Sequence, residues 1–217
     1  SDGRELAVAL DCPFVACDLA DLPGDVAALR AAVEPHAPLL DGIVNAAGVS
    51  SDSHFPDVDC AAWERVLRVN LSAPFFVVQA LEPLLRRPGA SIVNVTSAEA
   101  TGVYSSSTRP TPDYAAAKAG LKLATECLAV DLARVGVRVN AIAPGFTATP
   151  MTEGMKDRLA PFVPALIPLG RWGEPADVAD VALFLLSERA AYVTGASIAV
   201  DGGMTLGVTA RTFDAAR

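Results

Sequence analysis

The sequence predicts an α/β domain, a doubly wound parallel sheet with helices on both faces. Short apolar runs bounded by turn residues alternate with longer helical patterns, which is typical of βαβ units. The runs are uninterrupted and rich in β-branched residues, as in Ile92-Val93-Asn94-Val95, which indicates strands buried on both faces. With 217 residues, of which 52% are apolar and 19% charged, the chain can bury one large core. We therefore expect a single domain over residues 1–217.

Five strands and four helices are predicted along the chain. The strands are expected at 14–17, 42–46, 91–96, 137–142 and 197–200, and the helices at about 23–34, 60–82, 113–135 and 175–187. The helix over 60–82 is indicated by apolar residues that recur at helical spacing. Residues 147–171 contain four prolines around a weak helical pattern, and either a mobile segment over a pocket or a plain surface excursion would have this composition.

Composition and charge exclude several classes of protein. A formal net charge of −8, with no basic run longer than Arg86-Arg87, argues against a nucleic-acid surface. No apolar run reaches the roughly 18 residues that a membrane span needs. The cysteines show no C-x-x-C spacing and lie away from the two histidines, so no metal site is predicted and reduced thiols are expected. Since no signal segment follows Ser1, we expect a cytoplasmic protein.

The first catalytic candidates are Tyr114 and Lys118, four residues apart in an Ala-rich helical segment. Positions i and i+4 project from one face of a helix, so the phenol and the ammonium are neighbours. A phenol with a pKa of about 10 is almost fully protonated at neutral pH, and a positive charge beside it would make it a usable base. Taken alone, a Y-x-x-x-K pair is more often a surface or core contact.

Ser97 and Asn70 strengthen the case for a site. Ser97 ends the strand at 91–96, and active sites in open α/β sheets lie at the carboxyl ends of strands. Its hydroxyl could hold a substrate oxygen, although a plain polar strand end would look the same. Asn70 lies on or near the buried face of its helix, and Pro74 has no N–H to bond the Asn70 carbonyl. That carbonyl is free for a water or a side chain in a kinked helix.

Several short motifs follow one another along nearly the whole chain: Asp18 in Cys-Asp-Leu, Asn45-Ala-Ala-Gly48, Asn70, Ser97, Tyr114-x-x-x-Lys118, Pro144-Gly145 and Val193-Thr-Gly with Asp201-Gly-Gly. Together they resemble the short-chain dehydrogenase/reductase family, most closely its classical branch. The resemblance implies a Rossmann-like dinucleotide-binding and catalytic domain. It also implies that Tyr114 passes a proton to or from the substrate oxygen and that Ser97 holds that oxygen. Lys118 would lower the tyrosine pKa and hold the nicotinamide ribose, and Asn70 would anchor a water relay that ends at Lys118.

The same resemblance implies a nicotinamide cofactor, NAD or NADP. The positions that would contact it are Asp2, Asp18, Leu19, Asn45, Ala46, Gly48, Tyr114, Lys118, Pro144, Gly145, Thr147 and Thr149. Asp18 would reach the adenine, and the small residues up to Gly48 would allow close backbone approach. Asp2 would bind the adenosine ribose and favour NAD, and an exposed residue at a chain end is the alternative.

The pattern departs from the family in two places. No T-G-x-x-x-G-x-G occurs among the glycines, so the first strand–helix–strand step is missing, either because Ser1 starts a fragment or because the protein lacks it. Tyr114 follows Ser97 by 17 residues, a few more than the family's spacing. We expect residues 104–112 to form an extended loop on the substrate side. There Arg109 either meets an anionic substrate group or is a solvated cation.

The sequence thus predicts an NAD(P)-dependent oxidoreductase that moves a hydride between the cofactor and a small ketone or secondary alcohol, for example a 3-oxoacyl, sugar or polyol substrate. The alternative is a catalytically silent binding protein on the same fold. The helices at 60–82 and 113–135 are longer and more apolar than one sheet face needs. In the family that the sequence resembles, such helices pair across a homodimer or homotetramer, so the resemblance implies an oligomer, with no nucleic-acid or membrane partner.

Overall fold

In the computed structural model, residues 3–51, 53–103 and 110–206 are described. Their sheet is parallel, in the order β1-β2-β3-β4, which is also the order along the chain. The strands are β1 Gly42–Asn45, β2 Ser91–Val95, β3 Arg138–Pro144 and β4 Ser197–Val200. Four of the five predicted strands are therefore confirmed within one or two residues.

The helices lie between and beside these strands. They are α1 Gly3–Ala9, α2 Ala27–Val33, α3 Cys60–Leu67, α4 Ala73–Leu81, α5 Pro112–Ala133, α6 Glu153–Leu159, α7 Val163–Leu166 and α8 Pro175–Leu186. Proline occupies the first position of both α5 and α8, where its missing N–H costs nothing. In the described residues, no helix is long and apolar enough to cross a membrane.

The two faces of the sheet are covered by different helices. Ile92 on β2 belongs to a core cluster with residues of α4 and α5, whereas Val93 belongs to a second cluster with residues of α8. Successive side chains of a strand point to opposite faces, so one strand contributes to both cores. The predicted doubly wound architecture, with helices on both faces of a parallel sheet, is confirmed.

The strand predicted at 14–17 is wrong. Those residues form no ladder, and within the described residues β1 pairs only with β2. A strand needs a neighbouring strand to pair its N–H and C=O groups. Four apolar residues that lack such a neighbour do not form a strand. Phe14 instead lies under the guanidinium of Arg4, 5.2 Å from its ring centroid, and Cys17 packs against the core cluster under α4 and α5. The sequence pattern also gave no sign of α1.

The long helix predicted over 60–82 is interrupted at its centre. A π-helical turn, Arg68–Ser72, separates α3 from α4, and the Ala73 N–H donates to the carbonyl of Arg68. Pro74 follows directly and has no N–H, so the regular bonding pattern cannot continue across this point. Asn70 sits inside this turn and is fully buried.

Candidate active site

The carboxyl ends of β1, β2 and β3 meet at one edge of the sheet, and α5 brings two further side chains to it. Ala46 and Gly48 follow β1, Ser97 follows β2, and Pro144 and Gly145 end β3. Tyr114 and Lys118 lie in the first two turns of α5. This is the edge at which ligands bind in open α/β sheets.

Two cavities open at this edge and share a wall. The Lys118 cavity, of about 420 Å³, is lined by Ala46, Gly48, Val95, Thr96, Ser97, Tyr114, Lys118, Pro144, Gly145, Thr147, Thr149, Pro150, Met151, Thr152, Pro175 and Val178. The Glu99 cavity, of about 340 Å³, is lined by Ser50, Ser97, Ala98, Glu99, Thr111, Tyr114, Pro144, Gly145, Phe146, Met151, Thr152, Met155 and Met204. Ser97 and Tyr114 belong to both, so they stand where two ligands would meet.

Lys118 is buried, with 3% of its surface exposed. Its ammonium donates to the carbonyl oxygen of Val95 at 2.8 Å and lies 5.7 Å from the centroid of the Tyr114 ring. Burial lowers the pKa of Lys118 from 10.5 to about 8. An ammonium has three N–H donors. One donates to Val95, so the others are available to acceptor groups of a ligand in the Lys118 cavity.

Tyr114 is held in its protonated form. Its pKa is raised to about 12: burial is the largest cause, a hydrogen bond with Ser97 acts in the opposite direction, and the nearby charge of Glu99 also raises it. This net direction is the opposite of the expected lowering by Lys118. Burial is the largest cause of this direction, and the Lys118 ammonium faces the ring of Tyr114.

Asn70 fixes the loop that follows β1. Its Oδ1 accepts the Val49 N–H at 3.0 Å, and its Nδ2 donates to the Val49 carbonyl at 2.7 Å. A Cβ placed on Gly48 would lie 3.0 Å from Asn70 Oδ1 and 3.7 Å from Lys118 Nζ. Asn70 and Lys118 therefore flank Gly48, and a side chain at this position would pack tightly against Asn70.

Asn45 is part of a buried polar chain and not of either cavity wall. Its amide donates to Asn94 Oδ1 at 2.8 Å, and the Asn94 amide donates to Thr125 Oγ1 at 2.9 Å. Thr125 in turn donates to the carbonyl of Leu121. The chain ties β1 to β2 and β2 to α5. The sequence did give a signal for Asn94, because it is a polar residue at the centre of an apolar strand.

Several predicted cofactor contacts lie away from both cavities. Asp18 accepts the Ala20 N–H at 2.9 Å, and its own N–H donates to Asp25, which makes it a turn residue. Leu19 packs against the core cluster under α4 and α5. Asp2 and Arg109 fall outside the described residues.

A group of polar residues beside Tyr114 was not predicted from the sequence. Thr111 Oγ1 donates to Glu99 Oε2 at 3.2 Å, and the Ser51 hydroxyl donates to the fully buried carboxylate of Asp113. Asp113 also accepts the Tyr114 N–H at 2.8 Å. These contacts anchor the start of α5 and so orient Tyr114. Each joins residues at least 12 positions apart except the last, which is why spacing did not reveal them.

Residues of the proline-rich stretch cover the site. Met151 and Thr152 line both cavities, and Met155 lines the Glu99 cavity. Behind them, Phe146 stacks on Trp172 with ring centroids 5.3 Å apart. Of the two alternatives for 147–171, a segment over a pocket describes this position.

In the described residues, no group of three or more His, Cys, Asp or Glu is arranged to hold a metal ion.

Comparison with known proteins gives consistent matches. The family model described as enoyl-(acyl carrier protein) reductase matches residues 1–205. The 3-oxoacyl-[acyl-carrier-protein] reductase of Thermotoga maritima is 40% identical over 168 residues, covering 77% of this chain and 67% of that protein. The galactitol 2-dehydrogenase (L-tagatose-forming) of Cereibacter sphaeroides is 39% identical over 208 residues, covering 94% of this chain and 79% of that protein. The aldohexose dehydrogenase of Thermoplasma acidophilum, solved in ligand-free form, superposes with a TM-score of 0.79 at 25% identity, covering 88% of this chain and 78% of that chain.

The matches span only part of the relatives. The (3R)-3-hydroxyacyl-CoA dehydrogenase of Rattus norvegicus, 41% identical over 164 residues, is covered over 62% of its length and 75% of this chain.

Proposed function

This chain belongs to the short-chain dehydrogenase/reductase family, and on that premise we propose that it moves a hydride between a nicotinamide cofactor and a small ketone or secondary alcohol at the wall shared by the two cavities. The observation that carries the proposal is the placement of Ser97 and Tyr114 on that wall, with Lys118 behind Tyr114. One cavity then takes the cofactor and the other the substrate, with the reacting atoms between them.

The Lys118 cavity fits the nicotinamide half of the cofactor. Gly48 leaves a cradle that a single added carbon would fill, and Lys118 offers donors to ribose hydroxyls. Thr147 and Thr149 line the opposite wall and would meet the carboxamide or phosphate side. When bound, the nicotinamide supplies or accepts the hydride.

In the reducing direction, the ketone receives a hydride at its carbonyl carbon and a proton at its oxygen. Tyr114 donates that proton, and the Ser97 hydroxyl holds the oxygen while negative charge develops on it. The balanced change is ketone, NAD(P)H and one proton to alcohol and NAD(P)⁺. A tyrosine that burial keeps protonated is suited to the donor role. Oxidation of an alcohol runs through the same groups in reverse.

Asn70 supports this arrangement from outside the cavity. Its side chain holds the loop against Lys118, and its backbone carbonyl lies in the π-helical turn that precedes Pro74. We assign that carbonyl to a water relay that returns a proton to Tyr114 through Lys118.

We favour NAD over NADP, on the acidic Asp2 of the sequence alone. Titrating the full protein with NADH and NADPH, and following nicotinamide fluorescence, tests both the cofactor and its choice. Saturable binding of NADH that weakens in Lys118→Ala but not in Lys122→Ala supports the proposal. Failure to bind either nucleotide contradicts it and favours a silent scaffold.

Assembly into a homodimer or homotetramer is part of the proposal. Phe76 on α4 and Leu123 and Val130 on α5 are exposed by 41%, 61% and 66%, and such apolar side chains suit an interface between copies. A monomeric elution profile of the full protein would contradict it. A cytoplasmic location agrees with the four cysteines, which are all free thiols.

A further inference from the structure

Glu99 places a carboxylate in the wall of the Glu99 cavity, two residues after Ser97. Its N–H donates to Ser97 Oγ at 3.2 Å, within a short 3₁₀ turn, Ala98–Ala100. Its Oε2 accepts the hydroxyl of Thr111 at 3.2 Å. The backbone and one carboxylate oxygen are thus fixed from two directions, so this is a positioned group and not a freely rotating surface side chain.

Within the described residues, no side chain that lines the Glu99 cavity carries a charge opposite to that of Glu99. Among the lining residues that the structure describes, none is Lys, Arg or His. The lining also includes the apolar side chains of Met155, Met204 and Phe146. Lys118 lies on the other side of Tyr114 and lines the neighbouring cavity.

The chemistry of a carboxylate restricts what can occupy this space. An ionised carboxylate accepts about four hydrogen bonds and donates none, and Thr111 supplies one donor. A ligand that brings an O–H group satisfies a further acceptor site, whereas a ligand carboxylate adds a like charge in a partly desolvated cavity. Glu99 lines the same cavity as Ser97 and Tyr114, and its N–H donates to Ser97 Oγ, so a donor held by Glu99 lies in the cavity that holds the reacting oxygen.

Resting on the proposed function, we propose that Glu99 selects substrates that carry a hydroxyl group on the carbon next to the reacting carbonyl and disfavours substrates with a carboxylate there. The substrate class is therefore a small hydroxyketone or the corresponding vicinal diol. A cavity of about 340 Å³ lies at the small end of ligand pockets, which run from about 300 to 1,000 Å³. Glu99 takes no part in the electron balance, since the hydride and the proton pass as described above.

Three ketones with the same number of carbons test the inference: butanone, acetoin and acetoacetate. Butanone has no second polar group. Acetoin has a hydroxyl group on the carbon next to the carbonyl, and acetoacetate has a carboxylate on that carbon. Burial raises the pKa of Glu99, so reduction by the full protein is followed with NADH and NADPH at about pH 8, well above the ordinary range for a carboxyl pKa. The variants are Glu99→Gln, which keeps the shape, and Glu34→Gln, which removes the same charge from an exposed pair with Arg30.

We expect kcat/KM in the order acetoin, butanone, acetoacetate. In Glu99→Gln the ratio of acetoin to butanone falls by about 10-fold or more, as for the loss of a hydrogen bond to a charged group. The ratio of acetoacetate to butanone rises, and Glu34→Gln leaves both ratios unchanged. Because each ratio is measured on one sample, a smaller folded fraction cancels.

Two results overturn this inference but leave the proposed function standing. The first is turnover with substrate ratios that Glu99→Gln does not change. The second is a wild-type preference for acetoacetate, which would favour Arg109 as an anion site. No turnover of any of the three ketones overturns it together with the proposed function.

Discussion

The side-chain amide of Asn70 pairs with both backbone groups of Val49, at 3.0 Å to its N–H and 2.7 Å to its carbonyl. This pairing sets the wall of the Lys118 cavity, because Gly48 precedes Val49 and lies between Asn70 and Lys118. A residue from the middle of an interrupted helix thereby shapes the cofactor side of the proposed site. The geometry gives Asn70 a structural task that can be separated experimentally from the proposed water relay.

Asn70→Ala should lower both stability and turnover. The two Val49 backbone groups lose their partner, which costs about 1–3 kcal/mol of unfolding free energy, and the loop beside Lys118 is released. Asn140 offers a matched control, since its amide also pairs with backbone on both sides and it lines neither cavity. Urea unfolding should show similar losses for Asn70→Ala and Asn140→Ala, with a large loss of kcat/KM in the first alone. Equal losses of kcat/KM would mean that Asn70 acts only through stability.

Gly48→Ala should weaken cofactor binding. The added carbon would lie 3.0 Å from Asn70 Oδ1 and 3.7 Å from Lys118 Nζ, so Asn70 must give way by a few tenths of an ångström. If about 1–3 kcal/mol of overpacking cost is taken from cofactor binding, the affinity falls by about 5- to 150-fold. Gly154→Ala is the control, because a Cβ there meets nothing within 4 Å and α6 should gain about 1 kcal/mol. Unchanged NADH and NADPH affinities in Gly48→Ala would show that this loop does not bound the cofactor site.

Lys118→Met should make the protein more stable and inactive. The pKa of Lys118 is about 8 in the folded state and ordinarily 10.5, so the unfolded state binds more protons between these values. Stability therefore rises with pH through that window, and at neutral pH burial of the charge costs about 3 kcal/mol. Thermal unfolding near pH 7 and near pH 10 should show the gain in Lys118→Met at the lower pH, together with a flatter pH dependence. Lys122→Met, which loses only an exposed pair with Glu126, should show neither effect. A less stable Lys118→Met would contradict the assigned direction.

Glu99→Gln should shift the pH profile of alcohol oxidation to lower pH. The charge of Glu99 raises the pKa of Tyr114, so its removal lowers that pKa and increases the fraction of tyrosinate at any given pH. Oxidation needs Tyr114 as a proton acceptor, so the rising limb of kcat/KM against pH should move in the acid direction. Glu34→Gln should leave the profile in place. An unshifted profile would mean that the carboxylate does not act on this phenol.

Local patterns were sufficient to predict much of the fold and the motif residues. Tyr114 and Lys118 lie four residues apart on one helix face. Ser97 could be predicted as a site residue because it comes just after the strand β2. The segment 14–17 has the same apolar character but no strand beside it in the described residues, and propensity alone does not form a ladder.

The polar contacts around Tyr114 required the three-dimensional structure. Asn94 meets Thr125 from 31 positions away, and Ser51 meets Asp113 from 62 positions away. The direction of the Tyr114 pKa was likewise invisible in the sequence, because it depends on burial of the phenol more than on the neighbouring charge.

Hydride transfer by Tyr114→Phe tests the central claim most directly. Phenylalanine keeps the ring over which Lys118 lies and removes only the proton that the mechanism moves. With Tyr192→Phe as the control, since that side chain is fully exposed, reduction of a ketone that the wild type accepts is followed by consumption of NADH or NADPH. The account predicts a loss of kcat of about 100-fold or more in Tyr114→Phe, with cofactor binding retained and Tyr192→Phe unaffected. Turnover by Tyr114→Phe at the wild-type rate would contradict it.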